Sequence, residues 1–156
     1  MTSLRTVIIS FLGIFTLHIV ATVFHWYWYI KWLDVPMHFL GGFISAVLFF
    51  WLFGRALPHF VHLYKHFAVT LIFVLGWCAL IGVLWEFFEF GLDFFFIPER
   101  FAKAFEQAGV ADTMADLFMD LIGGTTFALI TKVRYNKKKA RDGKNKTISV
   151  DNHSNV

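Results

Sequence analysis

The chain has 156 residues, 58% hydrophobic and 20% aromatic, with a mean hydropathy of +0.62. Soluble domains average roughly 45–50% apolar residues, so this composition excludes that class and predicts an all-α polytopic membrane protein, a single domain with room for about four spans of roughly 20 residues. The net charge of +3 is concentrated in the C-terminal stretch, and the lone Cys78 excludes an internal disulfide or a cysteine metal cluster.

The first apolar run extends from about Thr6 to Ile30, after Arg5. It exceeds the roughly 7–15-residue core of a signal peptide and lacks a small-residue cleavage site, so it is expected to stay as a transmembrane helix. Trp26, Tyr27, Trp28, Tyr29 and Trp32 at its end form an interfacial aromatic belt. The second span is expected from Pro36 to Leu57, stopped by Pro58, the third from Phe67 to Phe90, and the fourth from Thr113 to Ile130. Between the last two, Pro98, Gly109 and the stripe Ile97, Phe101, Phe105, Ala108 predict a short amphipathic helix lying on the membrane surface. Residues 1–131 thus make a four-helix transmembrane domain. Residues 132–156, polar and without apolar periodicity, are expected to be a disordered basic tail.

That tail holds eight of the 14 basic residues: Lys132, Arg134, Lys137, Lys138, Lys139, Arg141, Lys144 and Lys146. An even number of spans puts both termini on one side, and the positive-inside rule makes that side cytoplasmic. The tail then contacts anionic membrane lipid; nucleic acid is not expected as a partner, whereas a homo-oligomer stays open. Arg55, His59, His62, Lys65 and His66 fall in the cytoplasmic loop of this topology.

The same topology gathers the acids. Asp34 and His38 stand where the second span enters from outside, Glu86, Glu89 and Asp93 where the third leaves, and Asp112, Asp116 and Asp120 where the fourth enters. These are seven of the 11 carboxylates in the chain. Each costs about +2.5 to +3.5 kcal/mol at the centre of a spanning helix, and neighbouring carboxylates repel. A bound cation, shared protons or a basic partner must offset that charge. Lys31, Arg100, Lys103, His25 and His38 are the basic groups on that side.

Two of the acidic stretches echo each other. Asp34-Val35-Pro36-Met37-His38-Phe39-Leu40-Gly41-Gly42 has the layout of Asp116-Leu117-Phe118-Met119-Asp120-Leu121-Ile122-Gly123-Gly124. Offsets of four, seven and eight share a helix face, so each copy makes a polar stripe that ends in a glycine notch. Gly-Gly reads first as a close-packing position, and close approach of the second and fourth spans would bring His38 and Asp120 together. Carboxylates beside a histidine suit a divalent cation with mixed nitrogen and oxygen ligands such as Zn²⁺, Mn²⁺ or Fe²⁺; an all-oxygen subset suits Mg²⁺ or Ca²⁺. The candidate ligand set is Asp34, His38, Glu86, Glu89, Asp112, Asp116 and Asp120, not all of them direct ligands, with His38 and Glu86 as candidate general bases.

Structural readings compete at several positions. Thr113-Met114-Ala115-Asp116 has the pattern of a capping box with Asp for Glu, and Asp112 suits a helix N-terminus. Asp93 fits a solvated interfacial acid. His18, Thr22 and His25 share one face of the first span, where interhelical hydrogen bonding competes with His25 joining the site.

With Asp34-x3-His38-Phe39, Trp85-Glu86-Phe87-Phe88-Glu89 and Asp112-Thr113-x2-Asp116-x3-Asp120-x2-Gly123 in this order, the chain resembles the small YjdF-type bacterial membrane proteins and, more distantly, the VanZ-like superfamily. The resemblance covers about residues 30 to 130 and implies a multi-pass protein of the bacterial inner membrane. Where the VanZ pattern tends to have Glu-x-x-Gln and a later Asn, this chain has Glu89 and Asp120, so the glycopeptide-resistance role associated with VanZ is not carried over.

Three functions follow from the residues. The leading expectation is a cation-dependent site open to the outer face and acting on a membrane-embedded or envelope-derived substrate. A proton- or cation-coupled transporter would use the same acids as a relay, although the cytoplasmic half of the third span, Phe67 to Phe73, offers little polar path. A non-catalytic assembly or lipid-binding module would pair the acids internally. Nucleophilic-triad chemistry and a phosphate-cradling glycine loop lack the residues they need.

Overall fold

A computed structural model describes residues 3–56, 66–96 and 109–153, all in helices and short turns. Helix α1 spans Leu4–Val23, α2 Trp26–Tyr29, α3 Asp34–Ala56, α4 Phe67–Phe96 and α5 Val110–His153. Four of them, α1, α3, α4 and α5, are long and apolar enough to cross a membrane, and among the described residues there is no strand. The expected all-α polytopic architecture is therefore present. The expected surface helix around Pro98, the loop residues His59, His62 and Lys65, and the outer cations Arg100 and Lys103 lie outside the described residues.

Ser3 caps α1 by accepting the Thr6 N–H at 3.1 Å. The first span ends at Val23 and not at Ile30. His25 takes a left-handed backbone at φ 56°, the Phe24 N–H bonds Val20 O at 3.0 Å, and the His25 N–H bonds Thr22 O at 3.1 Å. No Gly or Pro marks this break; His is among the non-glycine residues that enter the left-handed region most readily. The aromatic belt then forms a separate turn, α2, before the chain re-enters at Asp34. Pro36 sits in the first turn of α3, where its missing N–H removes no intrahelical bond.

Helix α4 runs through Phe96, six residues beyond the expected end. Its 30 residues correspond to about 45 Å of helix, more than the roughly 30 Å hydrocarbon core, so it tilts or projects. Helix α5 starts at Val110, directly after Gly109 at φ 129°, a conformation that side-chain-bearing residues rarely adopt. The carbonyl of Gly109 receives the N–H groups of Asp112 (3.0 Å) and Thr113 (3.1 Å), so Thr113 lies inside the helix and no capping box forms. The helix continues to His153, through the segment expected to be a disordered tail. An existing helix end removes the nucleation cost, and the Lys- and Arg-rich sequence propagates well, although every side chain from Val133 to Asn145 is exposed.

The packing divides into two layers along the bundle. Away from the acids, Ala46, Phe49 and Phe50 of α3, Val74 and Cys78 of α4, and Ala128 of α5 are buried together, with Phe53, Trp77 and Phe127 against them. The Trp77 indole N–H donates to Ser45 O at 3.1 Å, which satisfies a polar atom inside this layer. Where the acids begin, α3 and α5 cross closely at glycines. A Cβ on Gly42 would overlap the backbone of Asp120, and one on Gly123 would overlap the Phe39 carbonyl. The expected glycine notches are therefore present and reciprocal. Lipid tails are as apolar as the helix faces, so contact of this kind, and not exclusion of water, holds spanning helices together.

Candidate functional site

Parallel start points of α3 and α5, and the antiparallel end of α4, place the acids at one end of the bundle. Asp34 and His38 come from the first two turns of α3, Glu86 and Glu89 from α4, and Asp112, Asp116 and Asp120 from α5. His38, Glu86, Glu89, Asp116 and Asp120 are all buried, each at 5% exposure or less, while Asp34 and Asp112 are half-buried. No single stretch of sequence contains this cluster. It is assembled by the Gly42–Asp120 and Gly123–Phe39 contacts.

His38 is at the centre. Its Nδ1 lies 3.4 Å from Asp120 Oδ2, and its Nε2 lies 3.6 Å from Asp34 Oδ1 and 3.9 Å from Glu86 Oε1. The Asp120 contact, the pairing anticipated from the two glycine notches, fixes the ring by its Nδ1 side. Nε2 is buried and makes no hydrogen bond. The Asp120 carboxylate is itself wedged: a Cβ on Gly82 would overlap it, and one on Gly41 would sit 3.4 Å from Oδ1. Glu89 is oriented by its own helix, accepting the Trp85 indole N–H at 2.7 Å one turn away.

Three groups bring potential ligand atoms within 4.8 Å of one another: Asp34, His38 and Glu89; His38, Glu86 and Asp116; and Asp34, Asp112 and Asp116. All seven candidate residues thus converge, with Asp120 entering through His38. The side chain of Asp93 lies outside the described residues, and Lys31 is exposed. His25 is exposed at the α1–α2 break and belongs to none of these three groups. His18 does approach. Its Nδ1 pairs with Tyr27 OH at 2.9 Å and its ring meets Trp85 edge-on at 5.1 Å between centroids.

Sequence reasoning missed four contributors. Tyr27 read only as part of the aromatic belt, Trp85 only as part of a motif, and Gly82 and Cys78 only as apolar span residues. Two signals were available: Trp85 and Glu89, like Gly82 and Glu86, are four residues apart and share a face of α4. Nothing local signals Cys78, whose thiol donates to Gly42 O at 3.4 Å and fills the space beside Gly124.

A cavity of about 260 Å³ adjoins the cluster between α1, α3 and α4. Asp34, His38, Glu89 and Asp120 border it at one end, and its remaining walls are mostly apolar. The site therefore has a polar floor of buried acids around one histidine and an apolar extension beside it.

Among known proteins, an uncharacterised protein of Thermotoga maritima is 31% identical over 137 residues, 88% of this chain and 65% of the relative. The chain thus spans just under two thirds of the length of the curated relative it matches. No solved structure matches. With a family pattern matching residues 2–138, nearly the whole described bundle, the chain belongs to DUF2238, a family of predicted membrane proteins.

Proposed function

We propose that the His38 cluster is a divalent-cation site that opens at one membrane face and acts on the polar end of a membrane-embedded substrate. The observation that carries this reading is the Nε2 atom of His38, buried without a hydrogen bond and facing the carboxylates of Asp34 at 3.6 Å and Glu86 at 3.9 Å. Those separations are too long for hydrogen bonds. Two ligands about 2.1 Å from a tetrahedral ion lie roughly 3.4 Å apart, so His38, Glu86 and Asp116, whose ligand atoms lie within 4.8 Å of one another, need only an inward adjustment to become ligands. Asp120 on the far ring nitrogen makes a carboxylate–histidine–metal arrangement, holding the Nδ1–H tautomer and leaving the Nε2 lone pair for the ion. Asp120 then orients the ring and is not itself a ligand; Asp34, 3.6 Å from Nε2, is the fourth candidate. One nitrogen with several carboxylates fits Zn²⁺, Mn²⁺ or Fe²⁺, and Zn²⁺ serves as the probe.

Such an ion offsets the repulsion of the buried acids. It also polarises a phosphoryl or carbonyl oxygen, or lowers the pKa of bound water to about 7. With His38 engaged, general-base duty suits Glu89 better than Glu86, because Glu89 borders the cavity and its orientation is set by Trp85. The basic C-terminal stretch favours the cytoplasmic side for both termini, which puts the site in the outer leaflet of the inner membrane. The order of acid, histidine and glycine motifs supports the YjdF-type likeness at the level of the site. A relay across the membrane is disfavoured by the aromatic layer beneath Asp120. There, among the described residues, the buried polar side chains are Ser45 and Thr70, and the Thr70 hydroxyl donates back to His66 O at 3.2 Å.

Zn²⁺ titration of the purified full chain, followed by thermal unfolding, tests the site. An ion at 100 times its Kd adds about 2.7 kcal/mol of stability. The gain is expected to vanish in His38→Ala and to need roughly 10–100-fold more Zn²⁺ in Asp120→Asn. Wild-type unfolding that ignores Zn²⁺, Mn²⁺ and chelator alike would refute the reading.

A further inference from the structure

We propose that the cavity between α1, α3 and α4 is a binding slot for one aliphatic chain of a membrane lipid, whose anionic head lies at the His38 cluster. The chain slot stands on the cavity alone; the placement of the head rests on the cation reading above.

The walls state the chemistry of the occupant. Phe11, Ile14 and Phe15 of α1 face Met37 and Ile44 of α3 and Ile81 of α4. A void so lined forfeits dispersion contacts on every side unless apolar atoms fill it, and the surrounding solvent of a spanning protein is aliphatic chain. At about 260 Å³ the space exceeds the roughly 150 Å³ apolar cavity that accommodates benzene. It falls short of the roughly 300–1,000 Å³ pockets that enclose whole drug-sized ligands, so it takes a length of one chain and not an entire lipid. Its lining on α3 runs from Asp34 to Ser45, about 16 Å by helix rise. That is about half of a roughly 30 Å hydrocarbon core, the depth of one leaflet.

The polar end is built to match. The break at His25 turns α2 back so that Tyr27 reaches His18, and the His18 ring closes on Trp85, the same indole that holds Glu89. The left-handed backbone of His25, an uncommon conformation for a residue with a side chain, thereby positions a tyrosine–histidine pair in the wall of the cavity that Asp34, His38 and Glu89 also line. The pair supplies hydrogen-bonding groups at the level where a lipid changes from chain to head. An anionic head complements the acids only with a cation between them. Entry is lateral: α1 buries only Val7 and Ala21 and leans chiefly on α3, which leaves its seam with α4 facing lipid.

Two lipid types share this chemistry, straight acyl chains and branched isoprenoid chains. The full-length protein in detergent would be incubated with phosphatidic acid or with a polyprenyl phosphate, each with Zn²⁺ and with chelator, and examined by native mass spectrometry. Retention of one lipid per chain is expected, lowered at least tenfold by Ile81→Trp, which fills the slot, while Zn²⁺ affinity of that variant stays within twofold of wild type. Preference between the two lipids identifies the chain type. Retention that survives chelator but is lost in Ile81→Trp sustains the slot and removes the cation from the head site. Should Ile81→Trp misfold, phosphatidic acid with a diazirine in its acyl chain replaces it as probe. Photolabelling then maps to peptides containing Phe11 to Phe15 and Ile81. Labelling confined to other faces of the bundle, or equal lipid retention by wild type and Ile81→Trp, would overturn the proposal.

Discussion

Gly42→Ala adds one carbon at the place where α3 and α5 cross. The new Cβ would overlap the Asp120 carbonyl oxygen and sit 2.5 Å from its carbonyl carbon, where ordinary contact is 3.4–4 Å, and the obstruction is backbone that cannot rotate aside. Closing the 0.9 Å shortfall between 2.5 and 3.4 Å at that carbon requires α5 to retreat by at least that distance, and the oxygen demands more. Asp120 Oδ2, now 3.4 Å from His38 Nδ1, would move to about 4 Å, out of hydrogen-bond reach. Overpacking of this kind costs about 1–3 kcal/mol. The variant is therefore expected to unfold at lower SDS concentration and lower temperature in mild detergent, and to bind Zn²⁺ more weakly. Gly76→Ala and Gly91→Ala are the controls. Neither new Cβ would meet an atom within 4 Å, and both are expected within about 0.5 kcal/mol of wild type. Wild-type stability and Zn²⁺ affinity in Gly42→Ala would refute the close crossing and with it the route by which Asp120 reaches His38.

Trp85→Phe removes the N–H that Glu89 accepts at 2.7 Å; since Glu89 is assigned as a base and not as a ligand, Zn²⁺ affinity measured by competition dialysis is expected to stay close to wild type with helix content unchanged, and a roughly tenfold loss would make Glu89 a ligand. Trp77→Phe removes the bond to Ser45 O in the opposite layer, so it is expected to cost about 0.5–1.5 kcal/mol in detergent unfolding while leaving Zn²⁺ affinity as it was. Cys78, 1% exposed and set against Gly42 and Gly124, is expected to resist N-ethylmaleimide in the folded protein and to react fully in SDS.

Spanning segments were legible because a lipid-facing helix must be apolar over its whole length, and α3 and the start of α4 fall within two residues of expectation. The end of α1 was not. The chain around Phe24 and His25 stays apolar and aromatic, and the break is set by a backbone conformation, not by a residue type that demands one. The spacing of Asp34, His38, Gly41 and Gly42 against Asp116, Asp120, Gly123 and Gly124 predicted the His38–Asp120 meeting, since a glycine notch has few uses in a spanning helix besides close approach. Thr113 does not cap α5, because the carbonyl of Gly109, four residues earlier, supplies the helix start. Tyr27 and the cavity beyond it were invisible, since both depend on how α1 leans on α3.

Elemental analysis of the protein extracted from membranes without chelator, joined to X-ray absorption at the edge of any metal found, addresses the cation site most directly. One divalent ion per chain is expected, with a single imidazole nitrogen and carboxylate oxygens around it, and with the ion lost in His38→Ala. Substoichiometric metal in wild type that zinc loading does not raise, or a full complement retained by His38→Ala, would contradict it.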